Sequence, residues 1–197
     1  KNDTVYEDEI FLGMKAVSLK ISRSTFEECQ FLDCDLAESE FDQCRFIECE
    51  FRDSNLNVTK LPGSRFFESQ FKDCKVTGIN WTSLDWTGIT LSAPMAFESC
   101  DLSFSVFNSL SLPGLIIKNC KAWYADFEAC DLTHSVFTNT DLQDARFNGT
   151  KLDKSDFDGA VNYYIDPMGN SIREAHFDFP EVINLLKAFD IKIKGSD

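Results

Sequence analysis

The sequence predicts an all-β chain wound as a right-handed quadrilateral β-helix with a short C-terminal helix and strand. Three observations carry that expectation: large apolar residues recur every five positions, like residues recur every twenty, and nineteen Phe stand against four Tyr and three Trp.

Large residues fall in one register at Phe26, Phe31, Leu36, Phe41, Phe46, Phe51, Leu56, Leu61, Phe66 and Phe71. The register fades back through Ile21 and Ala16 to Phe11 and runs on through Val76, Trp81 and Trp86 to Leu91. A second run, from Phe97 to Phe157, has the same period displaced by one residue, with Ala122 its small member. Two positions before each large residue sits a small one, such as Ser24, Cys29, Cys34, Ser39, Cys44 and Cys49. The remaining positions are mostly polar. Residues five apart on an α-helix would scatter around its circumference, and a strand repeats every two, so neither carries this pattern. A chain that turns about a right angle every five residues does, because each step then sends one small and one large side chain inward.

Four such steps close a coil, which requires the independent period of twenty. Phe107, Phe127 and Phe147 satisfy it, as do Leu112, Leu132 and Leu152, and Phe26, Phe46 and Phe66. Residues 1–160 are accordingly expected to form about seven to eight coils, roughly 36 Å long at about 4.8 Å per coil. Around Ala93, Pro94 and Met95 the register changes, which predicts a bulge at 92–96 with one residue looped out. Near it the inward small position becomes large, at Ile79, Leu84 and Ile89.

After Phe157 the rhythm is expected to stop. Residues 161–170 read as a loop, 172–179 as an extended piece, and Pro180 as the first turn of a helix with an apolar stripe of Val182, Ile183, Leu185, Leu186 and Phe189. Ile191 and Ile193 then alternate with lysines like a strand. This 161–197 segment is too apolar for a free end; capping the last coil and forming a symmetric dimer account for it equally.

The net charge of -14, from 33 acidic and 19 basic residues, repels phosphate backbones and anionic membranes and attracts basic partners. Neither direct nucleic-acid binding nor a membrane span is expected, and with no export signal visible the chain reads as soluble and cytoplasmic. All eight Cys occupy the inward small position and read as buried free thiols; with no Cys-x-x-Cys spacing and with His134 and His176 far apart, no metal and no cofactor are expected. The inward Ser are structural, no triad and no phosphate loop is present, and the chain is not read as an enzyme. What remains is the outside of the rod, which is acidic: Glu27, Glu28, Asp33, Glu48 and Asp53 typify one stretch, Asp126, Asp141, Asp153 and Asp158 another. Solvation explains such a surface, and so does imitation of a DNA duplex.

The small-polar-large pattern across residues 11–160 resembles the pentapeptide-repeat family. Asn80-Trp81-Thr82-Ser83, Asp158 to Tyr164, Ala175 to Phe177, Pro180-Glu181 and Leu185-Leu186 are similar to the family's albicidin-immunity members and, less closely, to its quinolone-resistance (Qnr) group. The resemblance implies a bacterial DNA mimic that binds DNA gyrase, through its A subunit, or topoisomerase IV, and protects it from a poison. It implies a homodimer through the C-terminus, with Phe177, Phe179, Pro180, Val182, Leu185, Leu186, Phe189 and Ile191 at the interface. Outward acids near the dimer centre, Asp141, Asp144, Asp153, Asp156 and Asp158, are the expected gyrase contacts. Because no long loop interrupts the rhythm, albicidin-like or other peptide poisons are expected rather than quinolones. The alternatives are an acidic scaffold for a different basic partner and a DNA-mimic regulator unrelated to drugs.

Overall fold

In the computed structural model, which describes residues 2–87 and 95–191, every five-residue step turns a corner and every fourth step returns to the same side. The result is a four-sided parallel β-helix. The first face stacks Val5–Glu7, Thr25–Glu27, Arg45–Ile47 and Arg65–Phe67 in parallel, with Tyr6 over Phe26, Phe46 and Phe66. The second stacks Ile10–Leu12, Gln30–Leu32, Glu50–Arg52, Ser69–Lys72, Met95–Glu98 and Ile116–Lys118. On the third face Lys15, Asp35, Asn55, Lys75, Asp101, Lys121 and Asp141 bridge in succession, each just before its inward residue. The fourth carries Ile21, Phe41, Leu61, Trp81, Phe107, Phe127 and Phe147.

The inward large residues form columns of stacked rings. Phe11, Phe31, Phe51, Phe71 and Phe97 follow one another at 4.6–5.0 Å between centroids, and Trp81, Phe107, Phe127 and Phe147 at 5.1–5.7 Å. Parallel strands set that spacing, and it is also the separation at which offset aromatic rings attract. The small inward residues have a second task. Ser64 Oγ donates to the carbonyl of Phe41 at 2.7 Å, Ser155 to Leu132 at 2.7 Å and Cys130 Sγ to Phe107 at 2.9 Å, each reaching 23 residues back. Asn170 Nδ2 makes the same contact with the Phe147 carbonyl at 3.1 Å, while apolar residues such as Ile79, Met95 and Leu115 fill the position by packing alone. All eight Cys are free and buried.

At the corner that ends each step the backbone takes the left-handed conformation, with φ of 49–62° at residues such as Asp8, Glu28, Asp33, Glu48, Asn119 and Asn139. Asp, Asn and Gly enter this region with least strain, which explains their frequency two places after the large residue.

Two expectations change. The second run is not one residue out but six: Phe71 pairs with Phe97, and Lys75 with Asp101, 26 residues on instead of 20. A whole step plus one residue is accommodated between Trp86 and Met95, and since five of those six leave the rhythm intact, the sequence showed only the sixth. Residues 88–94, where most of the predicted bulge and Ile89 fall, lie outside the described residues. Below the insertion Trp81 is fully buried among Phe66, Phe71, Phe97 and Phe107, Ile79 and Leu84 are buried, and Trp86 Nε1 donates to the Trp81 carbonyl at 3.0 Å.

The rhythm also continues beyond Phe157. Lys151 bridges Ser171, and Asp156-Phe157 pair with His176-Phe177, placing Phe177 on Phe157 at 4.8 Å. Residues 162–168 leave the ladder because Tyr163 and Ile165, not residue 162, turn inward and fill the last coil, and Gly169 and Asn170 bond the coil below again. A helix of 3₁₀ type, Glu181–Phe189, then crosses the open end, its Leu185 packed on the core with Ile172 and Phe177. The predicted strand beyond Ile191 lies outside the described residues.

Candidate interaction surface

With the inside filled by side chains, any function lies on the outside, where several stacked positions pair opposite charges from coil to coil. Arg23 binds Asp3, Lys20 Glu40, Lys121 Asp101, Arg146 Asp126 and Lys151 Asp131, each pair twenty residues apart. Two corners instead carry rows of like charge. Between the first and second faces, Asp8, Glu28, Glu48 and Glu68 occupy the same left-handed corner in successive coils. Between the second and third faces, Asp33, Asp53 and Asp73 do the same. All seven are exposed, and among the described residues none forms an ion pair. Glu28, Glu48, Glu50 and Glu68 line an open groove of about 350 Å³ along the first of these corners.

Acid above acid at about 4.8 Å is repulsive. Replacing Glu48, which has an acid on either side, by Gln is expected to stabilise the fold by about 0.5–1 kcal/mol at low salt, since like-charge neighbours cost a few tenths each. Urea unfolding at 20 mM and at 1 M NaCl checks this; a gain that survives high salt would show that repulsion is not its source.

The five acids expected as contacts do not form one patch. Asp156 and Asp158 lie on the second face, between the lines of the two acid rows, whose corners in that coil are Lys154 and Gly159; Asp141 and Asp144 belong to the third face and its corner, and Asp153 to the first. Asp153 is engaged within the fold, accepting from Ser171 Oγ at 2.6 Å and the Arg173 amide at 2.8 Å, which hold its carboxyl below the usual range. Asp141 accepts from the Gln143 amide and Asn162. The two rows were visible in the sequence as acids two places after the large residue, but their alignment on adjacent corners follows only once the chain is wound.

The tail residues divide. Phe177 and Leu185 pack on the last coil and Val182 is half-buried, while Phe179, Pro180, Leu186, Phe189 and Ile191 are exposed, Phe179 at 78%. The segment therefore caps the helix with one side and leaves an apolar surface on the other. Among the described residues there is no cluster of three or more metal-binding side chains and no helix long and apolar enough to cross a membrane.

A four-sided solenoid with a filled core and a patterned exterior is a surface-presenting protein. The chain belongs to the pentapeptide-repeat family: the family described as "Pentapeptide repeat region" matches residues 24–93 and 94–161, more than two-thirds of the sequence. Among solved structures, a trypsin-treated form of QnrB1, a plasmid-mediated fluoroquinolone resistance protein, is similar at 15% identity and a TM-score of 0.57, covering 96% of this chain and 99% of that one. HetL, a pentapeptide-repeat protein involved in heterocyst differentiation regulation from Nostoc sp. strain PCC 7120, is similar at 11% identity and a TM-score of 0.50, covering 88% and 85%. Both likenesses are of fold. No curated protein matches the sequence.

Proposed function

We propose that the protein is a DNA decoy that docks on a type II topoisomerase, DNA gyrase through its A subunit or topoisomerase IV, and protects it from a poison. The observation that carries this reading is the pair of parallel acid rows, Asp8, Glu28, Glu48, Glu68 and Asp33, Asp53, Asp73, bordering the second face. Two straight rows of uncompensated negative charge on a rod imitate two phosphate strands, at about 4.8 Å per charge against about 3.4 Å along each strand of a duplex. Asp156 and Asp158 prolong that face towards the C-terminus, with Asp141, Asp144 and Asp153 around the same coil. The fluoroquinolone-resistance role named for QnrB1 agrees with it.

A second copy docking on Phe179, Leu186, Phe189 and Ile191 would double the length of the decoy. Albicidin-like and quinolone poisons are both within the proposal. The case against quinolones rested on an uninterrupted rhythm, and the six-residue insertion between Trp86 and Met95 removes it.

The test is DNA supercoiling by purified gyrase with and without albicidin or a fluoroquinolone. Protection at low dose is expected, with inhibition that strengthens at low salt at high dose. Reversing Glu28, Glu48 and Asp53 to Lys is expected to abolish both. Inhibition without protection would support a regulator unrelated to drugs, and no effect would leave a scaffold for a different basic partner; either outcome overturns the protective role. Light scattering is expected to show a dimer that Phe189→Glu converts to monomer, and a wild-type monomer would remove the dimer from the proposal.

A further inference from the structure

The corner diagonally opposite the first acid row, between the third and fourth faces, has the reverse character. After Ser18 and Glu38 its successive coils present Val58, Gly78, Phe104, Tyr124 and Asp144, and Tyr164 shares a groove with Asp144. Phe104 is 60% exposed, Tyr124 48% and Tyr164 53%, and the Phe104 and Tyr124 rings stack at 5.2 Å with 7° between their planes.

These aromatics are costly where they stand. Phe104 and Tyr124 have φ of 61° and 56°, in a region that bulky side chains rarely enter and that Asp, Asn, Ser or Gly fills at most other corners. The fold imposes this conformation at its corners, so a bulky aromatic there adds strain and exposed apolar area without adding to the core. Trp123 lies beside them on the third face, its ring 3.7 Å from Lys121 Nζ and its Nε1 shielded without a hydrogen-bond partner.

Charge at this edge selects the occupant. Lys121 is paired with Asp101, and Arg146 with Asp126, so the cations are spent within the fold. The Tyr124 hydroxyl reaches the Asp144 carboxylate, and Asp144, Glu128 and Asp166 line an open groove of about 520 Å³ with Tyr164 and Arg146. None of those three carboxylates has a cation partner among the described residues. Planar aromatic faces next to carboxylates that lack a cation match a guanidinium, which stacks and pairs at once; an ammonium stays hydrated and stacks poorly. Phosphate-bearing partners are repelled.

We infer that this edge is a second docking surface, for a protein segment that presents arginine. Tyr124, Phe104 and Trp123 supply the apolar ledge and Asp144 the counterion, in the combination of aromatic and Arg that dominates protein interfaces. The inference does not depend on a topoisomerase being the partner of the acid rows.

Calorimetry on the full chain with two capped hexapeptides, one carrying two arginines and the other two lysines in the same places, tests it at 150 mM NaCl. The arginine peptide is expected to bind about fivefold more tightly or better, because only it can stack. Tyr124→Asn is expected to erase that preference while leaving the melting temperature unchanged or higher, since Asn accepts the left-handed corner. Asp144→Asn should weaken arginine binding, and Glu48→Gln on the opposite corner should leave the preference intact. Equal binding of the two peptides, no binding of either, a preference that survives Tyr124→Asn, or one lost with Glu48→Gln would each overturn the assignment. So would a self-association that Tyr124→Asn abolishes, because a second copy would then be the occupant.

Discussion

Trp81→Ala is expected to destabilise the rod by about 3–5 kcal/mol, the range for deleting a large buried ring. Trp81 is fully buried and touches four aromatic residues from both sides of the insertion, so it joins the column below to the column above. In a solenoid each coil contacts only its neighbours, so weakening one junction divides the cooperative unit. Urea unfolding followed by far-UV circular dichroism is expected to change from one transition to two. Trp81→Phe keeps a ring and removes a buried Nε1 that has no partner, and is expected to stay within about 1 kcal/mol of the parent because the two effects oppose. A loss below about 1 kcal/mol for Trp81→Ala would show that the junction is held elsewhere.

Alkaline unfolding is the second large effect. Burial pushes the Cys49 thiol up to about 12 and Cys130 up to about 11; the hydrogen bond with Cys120, then burial, pushes Cys100 up to about 12. Cys74 is raised as well, first by its hydrogen bond with Cys100. Folded values above the unfolded value of 9.0 mean that the unfolded chain releases these protons first. The stability they contribute is therefore complete below pH 9 and is lost as pH rises from 9 towards 12. At pH 10.5 three such thiols would together cost on the order of 6 kcal/mol, at about 1.4 kcal/mol per unit each, which is comparable to the whole stability of a domain. Cooperative unfolding is expected between about pH 10 and 11 on that basis. Replacing Cys49, Cys100 and Cys130 by Ser, which occupies the same inward position at Ser54, Ser64 and Ser69, is expected to move the midpoint up by about one unit. An unmoved midpoint would assign alkaline unfolding to other groups.

The coil was legible because each step sends two side chains inward, in most steps one small and one large, so period five and period twenty were both written into Phe26, Phe46 and Phe66. The acids were legible as outward residues, yet the five chosen near the C-terminus lie on three sides of the rod, and Asp153 is bound within the fold. The apolar edge was hidden for a related reason. Most Phe follow the inward register, but Phe67 and Phe104 fall outside it and face outward, and one aromatic residue in a sequence carries no sign of which way it points.

By itself the sequence determined the architecture, the free buried thiols and the acidic exterior, because each follows from local spacing. Only the wound chain decided the six-residue insertion, the continuation of the ladder to Phe177, and which outward residues share a corner. Outward side chains are twenty residues apart along the chain but one strand spacing apart in space, and a single slip such as that between Phe71 and Phe97 changes every later pairing.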